Sequence, residues 1–145
     1  MIVHITVKHS RDHHGREGFR PYVEGQHAVV LEDGDGAFQG ELVWRLANIG
    51  QGIAEITGMG IADVENRRKG WGSRLLQIAI KDMLAFMRQQ KIEPRLVYLL
   101  ANGQDPVAQA FYEARGFRFL SAVPGLYERG TAWLYARNLS ATANE

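Results

Sequence analysis

The sequence predicts a mixed α/β (α+β) fold, in which a strongly twisted, mostly antiparallel sheet contains one parallel pair of strands and is flanked by helices. Three patterns lead to this fold class. Short strand-like segments occur along the chain, a long segment after residue 70 has helical periodicity, and that segment lies between two strand-like runs. The strand–helix–strand order predicts that these two runs pair in parallel.

The first part of the chain predicts a strand, a loop and a hairpin. Residues 2–8 alternate and are rich in β-branched side chains, which is typical of a strand with one buried face. Residues 9–26 are polar and have no regular period, so we expect mostly loop. Residues 27–31 and 38–46 predict two strands joined across 32–36, where glycines tolerate the positive φ of a tight turn.

A further central strand is expected at residues 53–62, after a turn at 48–52. Gly58 and Gly60 weaken a regular strand unless a backbone bulge or a ligand requires them. The alternative is that these glycines only relieve a bulge.

An amphipathic helix is predicted from residue 71 to about residue 91, because apolar residues recur there at steps of three and four. The stripe consists of Leu75, Leu76, Ala79, Ile80, Met83, Leu84 and Met87. Residues 96–101 form a nearly continuous apolar run, which predicts a strand covered on both faces. This strand is expected to lie parallel to residues 53–62.

A second helix is predicted to begin after Asp105 and to end at Arg115. Asp105 can cap free N–H groups, Pro106 suits the first helical position, and Gly116 supplies a left-handed stop. Residues 117–123 and 131–139 then predict two closing strands, and 140–145 a flexible tail.

Composition narrows the classes of function. The chain has 145 residues, of which 46% are hydrophobic, so it suits one domain with its own core. With a net charge of +1 we expect no nucleic-acid partner. Without an apolar run of about 18 residues or a signal-peptide pattern, we expect no membrane association and a cytoplasmic location. The absence of cysteine excludes thiolate nucleophiles.

The segment before the long helix carries the strongest chemical signal. It comprises Arg67, Arg68, Lys69, Gly70, Trp71, Gly72 and Ser73. Glycines allow a phosphate to approach the backbone, and the N–H groups and dipole of a helix N-terminus favour an anion. The chain has no G-x-x-x-x-G-K-[ST] loop, and Leu75 stands where a dinucleotide fingerprint needs its third glycine. An ordinary turn with a solvated basic run is the alternative.

Two motifs, RRKGWG at residues 67–72 and AQAFYEARGF at residues 108–117, occur on either side of the long helix and the strand after it. They resemble the Q/R-x-x-G-x-G/A signature and the A-x-x-[LF]-Y-E-x-x-G-F segment of the GNAT superfamily of acetyl-CoA-dependent N-acetyltransferases. Both occur in the family's order, so the resemblance covers residues 54–117 well and extends more weakly to 139. It implies one N-acetyltransferase domain at residues 1–139, with a shortened N-terminal helical region.

The resemblance also implies how acetyl-CoA binds. The pyrophosphate would lie on the loop from Arg67 to Ser73. The pantetheine arm would lie between two splayed strands and contact the backbone of Met59, Gly60, Ile61 and Ala62, one N–H of which would polarise the thioester.

For catalysis the resemblance implies Tyr112 as the acid that protonates the departing thiolate; the alternative is a core tyrosine beside Phe111 and Phe117. Glu55 is the first candidate base by comparison with histone-type members, and Asp63 the second; Glu55 as a solvent-facing strand residue is the alternative.

The chain departs from the family pattern at three places. Asp105 stands where many members have asparagine, and Asn102 is expected to substitute in binding the pantetheine. Leu100 replaces a glutamate typical of members that acetylate protein N-termini, which argues against that substrate class. Only residues 9–26 are available for the helices that usually shape the acceptor pocket, so that pocket is expected to be open or to be completed by a second subunit of a homodimer.

Of two further residue clusters, one is unsuited to bind a metal and the other allows two interpretations. His9, Asp12, His13 and His14 lack ordered ligand spacing, so we expect no metal. Trp133, Tyr135 and Tyr127 suit an acceptor site and a packing or dimer surface equally well.

The sequence therefore predicts an N-acetyltransferase that transfers the acetyl group of acetyl-CoA to a primary amine, either a small molecule or a lysine side chain. Direct attack in a ternary complex is expected, because no cysteine can carry an acyl-enzyme. A non-catalytic acyl-CoA-binding or sensing module and an interaction domain on the same fold are the alternatives.

Overall fold

A computed structural model describes residues 2–9, 25–61, 70–128 and 130–139, the first of these ranges as backbone only. Several predicted features lie outside these residues. They are most of the loop at 9–26, Ala62, Asp63, Arg67, Arg68, Lys69 and the tail at 140–145.

The described residues form seven strands and two helices. The elements are β1 (Ile2–His9), β2 (Gln26–Asp33), β3 (Phe38–Asn48), β4 (Ile53–Ile61), α1 (Trp71–Gln89), β5 (Leu96–Asn102), α2 (Pro106–Ala114), β6 (Arg118–Val123) and β7 (Ala132–Asn138). The strands make one sheet in the order β1-β2-β3-β4-β5-β7-β6. Only the β4–β5 pairing within it is parallel. The predicted mixed fold with one parallel pair is therefore confirmed.

The β2–β3 hairpin is longer than the sequence predicts, because Asp33 organises the turn. One oxygen of its carboxylate accepts the N–H groups of Asp35 and Ala37, both at 2.9 Å. These two hydrogen bonds lower the pKa of Asp33 below its usual value. With the turn held this tightly, β2 continues to Asp33 and β3 begins at Phe38.

Both helices pack on one face of the sheet and meet a single core. All seven residues of the predicted α1 stripe are buried. They join a cluster that includes Ala54 and Ile56 of β4 and Val97 and Leu99 of β5. Phe111 and Tyr112 of α2 pack against the same cluster. The opposite face of β4 and β5 carries no helix among the described residues.

The helix ends follow from local chemistry. α1 ends at Gln89, slightly before the predicted end, and Lys91 then takes a positive φ of 60°. The Asp105 side chain accepts the N–H of Ala108 and caps α2, as predicted. Gly116, with φ 88°, turns the chain after that helix.

No helix in the described ranges has both the length and the apolar character that crossing a bilayer requires.

Candidate functional site

The parallel strands β4 and β5 separate after only four paired residues. Pairing runs from Ile53 opposite Leu96 to Ile56 opposite Leu99. β4 nevertheless continues to Ile61 on its β3 side, and β5 continues to Asn102 on its β7 side. A gap therefore opens between the two strands in the middle of the sheet.

A bulge at Thr57 lies where this gap begins. Val43 of β3 pairs with Gly58 and the next residue, Trp44, pairs with Ile56, so Thr57 is an extra residue in β4. Its hydroxyl donates to the Val43 carbonyl at 3.3 Å and holds the bulge in place. The bulge suggested by the glycine pair is present, one residue before Gly58.

The gap forms a cleft of about 210 Å³. It is lined by Ile56, Thr57, Gly58 and Met59 of β4, by Leu99, Leu100, Ala101 and Asn102 of β5, and by Asp105, Ala108 and Tyr112 of the α2 region. The cleft thus brings Met59, Asn102, Asp105 and Tyr112 together, four of the residues selected from the sequence.

The N-terminus of α1 has no cap from the described residues. Gly70 precedes it with φ 82°, no described side chain accepts its first N–H groups, and its first turn contains no acidic residue. A Cβ on Gly70 would meet no described atom within 4 Å, so no described residue fills the space beside Gly70 at this helix end. The arrangement suits an anion, because the positive end of the helix dipole faces that space. Trp71 and Ser73 lie in this first turn, and Ile61 and Gly60 end the adjacent strand.

Gly72 has a packing role that no pattern in the sequence indicates. A Cβ there would lie 3.2 Å from Met59 Cε and 3.2 Å from Phe111 Cε1. The start of α1 therefore lies directly against β4 and α2. The Arg115 guanidinium lies over the Phe111 ring, 3.9 Å from its centre.

Tyr112 combines core packing with a hydroxyl in the cleft. Its ring meets Phe111 and Phe117 edge-on, with centroids 5.1 and 5.6 Å apart. Its hydroxyl points at the Met59 sulfur, 3.6 Å away. Burial raises the pKa of Tyr112 to about 12, and the negative charge of Asp105 adds to this effect. Both interpretations of this tyrosine from the sequence are consistent with its surroundings.

Asn102 and Asp105 are engaged in local hydrogen bonds. Asn102 Oδ1 accepts the N–H of Gln104 at 2.9 Å, and its backbone carbonyl accepts the Gln109 side chain at 3.2 Å. The Asp105 carboxylate caps α2 through Ala108 at 3.1 Å. These bonds fix the outer end of β5 next to the cleft.

Glu55 lies away from Tyr112, on the sheet face opposite the helices. Its carboxylate forms an ion pair with Arg45 at 2.7 Å. It also bonds the Tyr98 hydroxyl, whose pKa is raised by burial and by the Glu55 charge. Glu55 does not line the cleft, so its role as a base stays a prediction; Asp63 is outside the described residues.

The C-terminal aromatic residues have different surroundings. Tyr135 is fully buried and donates to Glu113 at 3.0 Å, and Trp133 packs against Phe119 with centroids 4.9 Å apart. Tyr127 instead donates to the carbonyl of Leu100 in the cleft, at 3.1 Å. The sequence contains no periodic signal that would have separated Tyr127 from the other two.

Within the described part of the chain, no three histidine, aspartate or glutamate side chains group as metal ligands. Asp12, His13 and His14 fall outside that part.

A family model for the acetyltransferase (GNAT) domain matches residues 24–119, more than half of the chain. Among curated protein sequences no match was found.

Solved structures share the fold. Spermidine/spermine N-acetyltransferase SpeG from Vibrio cholerae, in complex with manganese ions, has a TM-score of 0.67 at 19% identity over 85% of this chain and 71% of that chain. A dodecameric spermidine N-acetyltransferase from the same organism has a TM-score of 0.69 at 18% identity, over 83% of this chain and 69% of that chain. Nourseothricin acetyltransferase has a TM-score of 0.66 at 18% identity, over 83% of this chain and 69% of that chain. At such identities the likeness concerns the fold.

Proposed function

The chain belongs to the GNAT acetyltransferase family, and from this premise we propose that it transfers an acetyl group from acetyl-CoA to a primary amine. The observation that supports the proposal most directly is the gap between β4 and β5. It opens beside the uncapped start of α1 and contains the Tyr112 hydroxyl.

The described residues fit acetyl-CoA in two ways. The open N-terminus of α1 suits the pyrophosphate, together with the basic run Arg67, Arg68 and Lys69 from the sequence. Among the described residues, the edge of β4 beyond Ile56 does not pair with β5, so the backbone at Thr57, Gly58 and Met59 can meet the amides of a pantetheine arm. Acetyl-CoA supplies a thioester whose acyl carbon forms a C–N bond with the amine as its C–S bond breaks.

Tyr112 is the acid in this proposal. With a pKa of about 12, its phenol keeps its proton at neutral pH and can donate it to negative charge that develops on sulfur. The hydroxyl donates to the Met59 sulfur at 3.6 Å, so this phenol is oriented to hydrogen-bond a sulfur atom.

The amine is expected to approach from the face opposite the helices. α1, α2 and their shared core fill the other face of β4 and β5. Transfer then takes place directly between two bound substrates, because the chain has no cysteine to hold the acyl group. The neighbouring structures named for spermidine and nourseothricin acetylation support an amine acceptor.

Acetyl-CoA should stabilise the folded protein, and Gly70→Glu should abolish most of that stabilisation. A ligand at 100 times its dissociation constant adds about 2.7 kcal/mol, equivalent to about 5 °C or more in melting temperature for a chain of this size. A glutamate at position 70 would put a carboxylate in the open space before α1, where it repels a phosphate. Thermal denaturation with and without acetyl-CoA measures the difference.

Gly25→Glu is the matched control, because Gly25 has φ 89° and equally open surroundings. Both variants carry the same charge and the same left-handed strain, so only the position differs. Arg67→Glu tests the basic run in the same way. Equal stabilisation of wild type and Gly70→Glu would contradict the proposed phosphate site, and no stabilisation of wild type at millimolar acetyl-CoA would overturn the proposed function.

A further inference from the structure

The backbone of β5 directs the carbonyl of Leu100 into the gap. The Arg95 carbonyl accepts the N–H of Leu139 at 2.9 Å and the Gly103 N–H donates to the Thr131 carbonyl at 2.7 Å, so Arg95 and Gly103 direct these groups to the β7 side. Consecutive residues of a strand direct their backbone groups to alternate edges, so Tyr98, Leu100 and Asn102 face β4. Since β4 has separated by this point, the Leu100 carbonyl faces the gap.

The protein's own donors satisfy the carbonyls of Leu100 and Asn102 on this edge of β5. The Tyr127 hydroxyl donates to the Leu100 carbonyl at 3.1 Å. Farther out, the Asn102 carbonyl accepts the Gln109 side chain at 3.2 Å and the N–H of Asp105 at 3.0 Å. We expect a bound pantetheine arm to pair with the separated part of β4, and the Tyr127 hydroxyl then lies on the β5 side of the gap, at the Leu100 carbonyl.

The position of Leu100 along β5 places the Tyr127 hydroxyl near the narrow end of the gap, where β4 and β5 begin to separate. Leu100 follows directly after the last paired residue, Leu99. The start of α1 lies farther out, because Gly72 approaches Met59, three residues beyond Ile56. With the pyrophosphate at α1, the reacting end of the arm lies deeper in the gap, on the side of Tyr127.

The hydroxyl of Tyr127 has acceptor capacity left. A phenol has one proton, and Tyr127 uses it on Leu100; since no described residue donates to the phenol oxygen, its lone pairs can accept from a ligand. A protonated or neutral primary amine is such a donor. An acyl oxygen is not.

We infer that Tyr127 is a specificity-determining residue that binds the acceptor amine: its oxygen, oriented by the Leu100 carbonyl, accepts a hydrogen bond from the amine N–H beside the thioester. Tyr127 takes no proton and forms no bond in the reaction. It acts on the amine, opposite Tyr112, which acts on the leaving sulfur. The inference rests on the proposed acetyl transfer.

The test compares Tyr127→Phe with wild type in steady-state release of CoA thiol, with spermidine and methylamine as acceptors. The variant keeps the ring and loses only the hydroxyl. We expect the KM for the amine to rise about tenfold, the size expected for one lost hydrogen bond to a charged group, with kcat changed less than about threefold. Stabilisation by acetyl-CoA should equal that of wild type.

Tyr135→Phe is the matched control, since it removes a tyrosine hydroxyl that bonds Glu113 in the core. It should leave the KM for the amine unchanged. An unchanged KM in Tyr127→Phe, or an equal rise in both variants, overturns the inference while the acetyl transfer stands. If wild type binds acetyl-CoA but transfers to neither amine, the proposed amine acceptor fails and the inference falls with it.

Discussion

Replacing Tyr112 with phenylalanine should lower kcat about a hundredfold, the lower end of what a positioned acid contributes. The ring contacts with Phe111 and Phe117 would remain, because only the hydroxyl is lost. Acetyl-CoA should therefore stabilise the variant as it stabilises wild type. Single-turnover and steady-state thiol release measure the effect.

The raised pKa of Tyr112 determines how this acid works. An ordinary thiol has a pKa of about 8.5, so complete proton transfer from a phenol with a pKa near 12 to such a thiolate in water would be unfavourable. The cleft that withholds solvent from Tyr112 would also withhold it from a thiolate and raise the thiol pKa. The phenol then stabilises developing charge through a strong hydrogen bond as the proton moves.

The pH profile of kcat provides a control for the role of Tyr112. The pKa of Tyr112 is raised from 10.0 to about 12 in the folded protein, so the contribution of Tyr112 to stability is present below about pH 10 and is lost as the pH rises through 12. Tyr112 should consequently produce no decline of kcat below about pH 11. A basic limb near pH 8 or 9 that disappears in Tyr112→Phe would contradict this assignment, as would a kcat equal to that of wild type.

Replacing Gly52 with alanine should have the largest effect on stability, lowering the free energy of unfolding by about 3 kcal/mol or more. Gly52 has φ 64°, and a Cβ there would collide with the Glu93 carbonyl. Left-handed strain contributes about 1–2 kcal/mol and overpacking about 1–3 kcal/mol. The Gly52 carbonyl also accepts the N–H groups of Arg95 and Leu96, so a shift would disturb the start of the parallel pair.

Gly25→Ala separates the two contributions to this loss. Gly25 has φ 89°, and a methyl group added there would meet no atom within 4 Å, so its substitution introduces strain without a collision. Urea denaturation of both variants gives the comparison. An equal decrease in the free energy of unfolding in the two variants would show that the collision with Glu93 does not contribute to the destabilisation of Gly52→Ala.

The sequence predicted the elements well because local chemistry specifies them. The α1 stripe follows from helical period, and the start of α2 follows from Asp105 and Pro106. Tyr112 was found through a motif, and the structure gives it a cleft-facing hydroxyl. Its contact with Met59 depends on strand geometry and was not predicted.

The bulge at Thr57 explains why side-chain directions in β4 could not be predicted. Before the bulge the even-numbered residues Ala54 and Ile56 face the helices. After the extra residue Thr57 the odd-numbered residues Met59 and Ile61 face them instead. The pairing of Glu55 with Arg45 depends on the same cross-strand register. Tyr127 lies in a connection without periodicity, where only the fold reveals its contact with Leu100.

The short parallel pairing between β4 and β5 also has a meaning for folding kinetics. β2, β3 and β4 are neighbours in sequence and close short loops, whereas β5 can join β4 only after the whole of α1 has been positioned. Contacts between residues distant in sequence form slowly, because the chain loses conformational entropy in closing the loop before these contacts stabilise the structure. We expect the four-residue junction to form after the β2–β4 meander during refolding. The boundary that creates the gap is then also a part of the sheet that assembles later than the meander beside it.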